Sequence, residues 1–280
     1  MVTFNEKLCE AITKRNSSLC VGIDPSIKSF PLSLQGKLQY DLEDAVEEFC
    51  KEIIQATAPY CCAFKPQLAM FSSIRCENVL ERLSSWIIKN FPEHILIIDA
   101  KRGDIGSTAE HYASEIFDRY NAHATTVNPY MGSESLIPFL SRDNKGVYVL
   151  CRTSNPGADE IQNLQLKSGE KLFEKIAITA KDKWNNKSQI GLVIGATVID
   201  ELKNVIRLCP DLPLLIPGVG KQGGSVTEVV NATKSKRNTL INCSRSIIFA
   251  SNYDDWTDNA AYEAQKINSE INNLQSNYEQ

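Results

Sequence analysis

The stretch Ile95-Leu-Ile-Ile-Asp-Ala-Lys-Arg-Gly-Asp104 starts as an unbroken apolar run and ends in Asp99, Lys101, Arg102 and Asp104. A short apolar run without alternation suits a parallel strand buried on both faces. Residues 106 to about 120 follow with Tyr112, Ala113, Ile116 and Phe117 at helical spacing. Ala124-Thr-Thr-Val127 then reads as the next strand. One β-α-β unit is therefore legible, with its charged residues gathered where the first strand ends.

The same unit recurs along the chain. Further strand-length runs are Leu19-Cys-Val-Gly-Ile23, Cys61-Cys-Ala-Phe64, Val147-Tyr-Val-Leu-Cys151, Ile190-Gly-Leu-Val-Ile194, Leu214-Leu-Ile216 and Thr239-Leu-Ile-Asn-Cys243, which makes eight in all. Helical stretches are expected near residues 41–58, 78–88, 133–141, 170–184, 199–208, 225–233 and 258–274, and Pro210 and Pro213 fit a helix stop and a strand start. Eight β-α units in about 250 residues predict a (β/α)8 TIM barrel. The competing architecture is a doubly wound open sheet, but no G-x-G-x-x-G follows the first strand, where the chain reads Val21-Gly-Ile-Asp-Pro25. An additional helix near residues 3–14 is expected to cap one end of the barrel. No linker, repeat or low-complexity block interrupts the pattern, so residues 1–280 are expected to form one domain with its core over about 18–275.

Composition narrows the function classes. Of 280 residues, 42% are hydrophobic and 23% charged, near the globular average, so a large core needs no disulfide or metal staples. Mean hydropathy is -0.23 and no apolar run approaches 18 residues, which argues against a membrane span. The start, Met1-Val-Thr-Phe-Asn-Glu-Lys7, lacks the apolar region of a secretory signal. A net charge of -4 argues against general nucleic-acid binding, yet leaves room for a small anionic substrate held by a few local cations. Nine cysteines, an odd number without C-x-x-C spacing, read as reduced core thiols and point to a cytoplasmic location. His94, His111 and His123 lie beside no candidate nucleophile, so lysine or carboxylate is expected to carry any proton transfer.

Barrel enzymes carry their chemistry at the C-terminal ends of the strands. Asp24, Lys65, the Asp99/Lys101 pair with Asp104, Asn128, Arg152 to Asn155, the glycine stretch from Pro217 and Arg245 all fall there. The plainer alternatives are that Asp24-Pro25 is a turn, Lys65 a solvated loop lysine, the glycine-rich stretch an ordinary turn, and Asp99 with Lys101 a structural salt bridge. Residues 99 and 101 are two apart on a strand, so their side chains are expected on one face as a close acid–base pair. Pro217-Gly-Val-Gly-Lys-Gln-Gly-Gly224 and Arg245 follow the seventh and eighth strands, where barrel phosphate sites are built. Glycine lets backbone N–H groups approach an anion, arginine offers a permanently charged fork, and the loop has the flexibility of a lid.

Asp99-Ala-Lys101-Arg-Gly-Asp104-Ile-Gly-Ser-Thr108 resembles the D-x-K-x-x-D-I-x-x-T signature of the orotidine 5'-phosphate decarboxylases. Lys65-Pro-Gln67, Val127-Asn-Pro-Tyr-Met-Gly132 and Arg152-Thr-Ser-Asn-Pro-Gly157 resemble the second subgroup of that family, found in some bacteria and in protozoan parasites. The matched motifs span about residues 18–247. D-x-K-x-x-D alone is shared with a wider superfamily, whereas the combination is specific.

The resemblance implies decarboxylation of orotidine 5'-monophosphate to uridine 5'-monophosphate, the last step of de novo UMP synthesis, with no metal or organic cofactor. It implies that Lys101 protonates C6 and Asp99 lies near the departing carboxylate. Lys65 and Asp24 would hold the ribose hydroxyls and the charged network, and Thr153 and Ser154 would read the pyrimidine. Gln222 and Arg245, with backbone at Pro217, Gly218 and Gly220, would bind phosphate. Asp104 and Thr108 would reach into a neighbouring subunit's site in a homodimer. No nucleic-acid or membrane partner is implied; an orotate phosphoribosyltransferase partner is left open.

Two departures stand out. Met70-Phe71-Ser72 replaces Phe-Phe-Glu, and Glu134 stands where Asp is expected. Two rival functions are compatible with parts of this pattern. One is a superfamily relative acting on a sugar phosphate through magnesium, such as a keto-gulonate phosphate decarboxylase or a hexulose phosphate synthase. A carboxylate at the end of strand two would help hold the metal there, and this chain has Lys65. The other is a catalytically dead phosphosugar-binding barrel, which should have lost one of Lys65, Asp99, Lys101 or Asp104.

Overall fold

The computed structural model describes residues 2–220, 223–234, 236 and 238–277. Its eight strands are β1 Leu19–Ile23, β2 Ala63–Pro66, β3 Ile95–Arg102, β4 Ala124–Val127, β5 Gly146–Arg152, β6 Ile190–Ile194, β7 Leu214–Pro217 and β8 Thr239–Cys243. All pair in parallel and in chain order, and the barrel closes where Cys20 of β1 registers with Asn242 of β8. This is the (β/α)8 architecture that the alternating pattern predicts.

The strands are apolar on both sides because they face two layers. Inside the barrel, Cys20, Cys62, Ala63, Ile95, Ile97, Tyr148, Val193, Leu215 and Leu240 pack on one another. Outside, strands and helices share a larger core that includes Val21, Phe64, Ile98, Val149, Leu192 and Ile241. Each strand is followed by its helix: α2 Leu42–Thr57, α3 Glu77–Asn90, α4 Gly106–Ser114, α5 Ser133–Leu140, α6 Leu172–Thr179, α7 Ile199–Leu208, α8 Val226–Thr233 and α9 Trp256–Ser276. Local chemistry sets several starts. The Asp41 carboxylate accepts from Asp44 N–H to open α2, and the Ser225 hydroxyl accepts from Glu228 N–H to open α8.

Helix α1 (Phe4–Arg15) precedes the barrel and closes its N-terminal mouth. Thr3 and Glu6 form a reciprocal capping box at its start. Phe4, Leu8 and Ala11 join the interior cluster, with the Phe4 ring edge-on to Tyr148 at 5.8 Å. Gly146 makes this possible: a Cβ there would lie 2.4 Å from the Phe4 ring. The expected cap is thus the barrel's hydrophobic floor.

Three local differences from the sequence reading have physical causes. β2 is assigned from Ala63 rather than Cys61, although Cys62 already donates to Leu19 O and accepts from Ile95 N. β2 also runs on to Pro66, beyond the expected end at Phe64, so Lys65 lies within the strand, not after it. The helices expected over 106–120 and 170–184 each finish in a π turn, at Glu115–Arg119 and Ala180–Trp184, while keeping Ile116, Phe117 and Trp184 buried. β3 runs on to Arg102, with a bulge described below. Among the described residues, no helix is long and apolar enough to cross a membrane. Cys20, Cys50, Cys61, Cys62, Cys76, Cys151, Cys209 and Cys243 are buried thiols of the core, as expected.

Candidate active site

A cavity of about 680 Å³ opens at the C-terminal ends of the strands. Its charged centre is built by β3. Ile98 registers with Thr125 of β4 and Arg102 with Val127, so three residues of β3 stand opposite the single residue Thr126. Lys101 takes φ +47 within this bulge, a left-handed conformation that costs an L-residue roughly 1–2 kcal/mol. Regular strand alternation therefore does not bring Asp99 and Lys101 together. The bulge does, placing Lys101 Nζ 2.6 Å from Asp99 Oδ1. Arg102 turns outward instead, where it pairs with Glu115 at 2.9 Å over the Tyr112 ring.

Lys65 completes the centre from β2, its Nζ 2.8 Å from Asp99 Oδ2. Lys65 and Asp99 are buried, whereas the Lys101 side chain is 46% exposed toward the cavity. Burial alone would strip the charge from Lys65, but Asp99 and Asp24 outweigh it and hold its ammonium well above the usual lysine range. Burial would likewise protonate Asp99; Lys65 and Lys101 outweigh it and keep this carboxylate well below the usual range. The result is an alternating row of fixed charges.

Asp24 lies just beyond β1, and its Oδ2 accepts from Ser244 Oγ at 2.6 Å. Asp24 Oδ1 and Asn242 Oδ1 are buried acceptors without a partner among the described residues. Both residues line the cavity, and buried acceptors of this kind are matched by donors such as hydroxyls.

Two loops complete the wall. After β5, Thr153 N donates to Gln162 Oε1 at 2.8 Å and Gln162 Nε2 donates to Thr153 Oγ1 at 2.9 Å, so one amide grips both polar groups of Thr153. Gly195, just after β6, lets Ser154 approach: a Cβ at 195 would lie 2.6 Å from Ser154 Cβ. Arg152 is buried and faces away from the cavity, bridging Thr153 O, Asp159 and Glu201. After β7, Gly218 at φ +101 turns the backbone so that Gly220 N bonds Gly224 O and Gly224 N bonds Gly218 O. Arg245 opens the short helical segment Arg245–Ile248 after β8. It has no ion-pair partner among the described residues and lines the cavity near Pro217 and Gly218.

A cavity with a cation–anion–cation centre at one side and an unpaired arginine beside a glycine loop at the other suits a phosphorylated substrate. Comparison with known proteins agrees. The model of the orotidine 5'-phosphate decarboxylase / HUMPS family matches residues 17–255. The chain belongs to this family. A Bordetella petrii protein named orotidine 5'-phosphate decarboxylase is 48% identical over 276 residues, covering 98% of this chain and 100% of that protein. The structure of Leishmania donovani OMP decarboxylase superposes with a TM-score of 0.83 at 33% identity, covering 98% of this chain and 99% of that one. Leishmania donovani UMP synthase gives 0.85 at 34% identity, covering 98% of this chain and 57% of that longer one.

The residues that the orotidine 5'-phosphate decarboxylase signature points to divide into three groups. Asp24, Lys65, Asp99, Lys101, Thr153, Ser154, Pro217, Gly218 and Arg245 all line the one cavity. Gly220 shapes the loop without lining it, and Gln222 lies outside the described residues. Asp104 and Thr108 lie outside the cavity: Asp104 accepts from its neighbour Ile105 N, and Thr108 is exposed on the first turn of α4. Sequence reasoning missed Asn242, Ser244 and Gln162 as wall residues. Asn242 carried a signal, as an amide inside the otherwise apolar run of β8. Gln162 carried none, since only the fold of the loop after β5 returns it to Thr153.

Proposed function

We propose that this chain converts orotidine 5'-monophosphate to uridine 5'-monophosphate and carbon dioxide, the last step of de novo UMP synthesis. The observation that carries the reading is the Lys65–Asp99–Lys101 row in the same cavity as Arg245. When the C6–carboxylate bond breaks, its electron pair stays in an in-plane orbital of C6, where the ring π system cannot absorb it. The Lys101 ammonium lies against that charge as it develops, then transfers a proton from Nζ to C6. Asp99 pairs with the Lys101 ammonium and sits near the leaving carboxylate. The partial exposure of Lys101 gives solvent access for reprotonation.

The other roles follow the same geometry. Asp24 and Lys65 take the ribose hydroxyls, and the unpartnered Asp24 Oδ1 is an acceptor suited to one. Thr153 and Ser154 read the pyrimidine. Arg245, with Gln222 and backbone at Pro217, Gly218 and Gly220, takes the phosphate, whose binding energy can order the site at a distance from the reacting carbon. The active unit of this reading is a homodimer to which Asp104 and Thr108 contribute across the interface. The exposed apolar side chains of Ile105, Tyr130 and Met131 on neighbouring loops support that surface as a contact. The reading further takes residues 1–280 as one domain, in the second subgroup, acting in the cytoplasm without cofactor, nucleic acid or membrane. An orotate phosphoribosyltransferase partner would act just upstream.

A magnesium-dependent sugar-phosphate reaction is the rival within the superfamily. A divalent cation at this site would lie beside the Lys65 and Lys101 ammonium groups, which disfavours it electrostatically. The deciding assay is turnover of orotidine 5'-monophosphate in the presence of EDTA. Undiminished product formation is expected; a strict magnesium requirement would defeat the assignment.

A further inference from the structure

Thr126 is the single residue of β4 that faces the three-residue bulge of β3. Its side chain is buried and uses its whole hydrogen-bonding capacity on that bulge. Oγ1 donates to Asp99 Oδ1 at 2.7 Å, and accepts from Ala100 N at 3.1 Å and from Lys101 N at 3.0 Å. A hydroxyl has one hydrogen and two lone pairs, so nothing is left over. The two N–H groups are those that the bulge withdraws from the β3–β4 ladder, and a buried N–H without a partner is costly. The same oxygen therefore holds the left-handed backbone of Lys101 and the orientation of the Asp99 carboxylate.

We propose that Thr126 is a positioning residue for the reaction: it fixes Asp99 and Lys101 relative to each other without touching substrate. This rests on the decarboxylase reading of the site. A carboxylate with three donors, Lys65 Nζ, Lys101 Nζ and Thr126 Oγ1, has one orientation available. Without the hydroxyl, the carboxylate turns on its remaining partners and the bulge loses the acceptor for both N–H groups. Lys101 Nζ then moves relative to the reacting carbon. Displacement of a catalytic group by an ångström costs about 100-fold in rate. The neighbouring Thr125 supplies an internal control. It is equally buried, and its hydroxyl donates to Ile98 O at 2.8 Å, with a longer contact to Thr126 O at 3.5 Å, and bonds neither the Asp99 nor the Lys101 side chain.

The test compares Thr126→Val, Thr126→Ser and Thr125→Val by steady-state kinetics and thermal unfolding of the full-length chain. Thr126→Val should lower kcat by about 100-fold while KM changes by less than about threefold, because the substrate's own contacts remain. Thr126→Ser, which keeps the oxygen, should restore kcat to within about threefold of the parent. Thr125→Val should lower the unfolding temperature and leave kcat alone. Thr126→Ala removes the same oxygen and takes the place of Thr126→Val if that variant does not fold. The inference is overturned if loss of the Thr126 hydroxyl leaves kcat unchanged, if Thr126→Ser is as slow as Thr126→Val, or if the two valine variants lower kcat equally. Should the parent protein not decarboxylate orotidine 5'-monophosphate at all, the proposed function fails, and the crystal structure of Thr126→Val decides this inference separately. Departure of Lys101 from its left-handed conformation and from Asp99 supports it; an unchanged bulge overturns it.

Discussion

At the residue scale, charge placement explains the site. Lys65 and Asp99 are both buried: Asp99 with Asp24 keeps the ammonium charged, and Lys65 with Lys101 keeps the carboxylate charged. Lys101 differs in being half exposed to the cavity, which suits the proton-donor role proposed for it. Lys101→Ala should therefore lower kcat by at least about 10⁴-fold, the combined loss of proton transfer and of charge stabilisation at C6. Binding of uridine 5'-monophosphate through Arg245 and the glycine loop should largely persist, as measured by titration calorimetry. A variant with near-parental turnover would remove Lys101 from the proton-donor role.

At the scale of elements, helix α1 and the β3 bulge do the two jobs that strands alone cannot. The bulge re-aims two side chains of β3 into one site. Helix α1 seals the opposite mouth, where Phe4 fills the space left by Gly146 against Tyr148. Phe4→Ala should destabilise the protein by about 3–5 kcal/mol, read from denaturant unfolding, because a buried ring leaves a cavity that the floor cannot close. Activity per folded molecule should stay at the parental level, since Phe4 and the charged row lie at opposite ends of the barrel. A kcat loss that exceeds the loss of folded protein would show that the floor also tunes the site.

At the scale of the whole molecule, two behaviours follow. In the proposed homodimer, Asp104→Ala and Lys101→Ala chains, each inactive, should regain activity on mixing, because one site of the hybrid carries neither defect. Absence of recovery despite subunit exchange, verified by mass spectrometry of tagged chains, would rule out a shared site. Stability should also fall in acid. Burial pushes the His123 imidazole down to about 3, with Lys7 and Lys145 acting the same way, and burial lowers His94 too. Below an ordinary pKa of about 6.5 the unfolded chain takes up protons that the native chain refuses. Each such histidine then removes roughly 1.4 kcal/mol per pH unit until its native pKa is reached. Asp99, held low by its lysines, acts in the same direction, its contribution lost as pH falls through its native value. The unfolding temperature should drop steadily from pH 6.5 toward 4, and His123→Gln should flatten that drop; an unchanged slope would assign the acid lability elsewhere.

The sequence by itself determined the barrel, because burial on two faces forces eight apolar runs and helical periodicity fills the gaps between them. It also determined which residues stand at the rim, since strand length fixes where each apolar run stops. Asp24, Lys65, Asp99, Lys101 and Arg245 were legible for that reason, with the D-x-K-x-x-D resemblance naming their chemistry. Only the tertiary structure decided how they meet. Asp99 and Lys101 converge through a bulge with a left-handed lysine, not through the period of two that their spacing suggests. Thr126 looked like one more β-branched strand residue, and Gln162 like a loop amide; their partners are 25–27 and 9 residues away in the chain. Hydrogen bonds between neighbouring strands and across a folded loop depend on register, and register is set by the closure of the barrel as a whole.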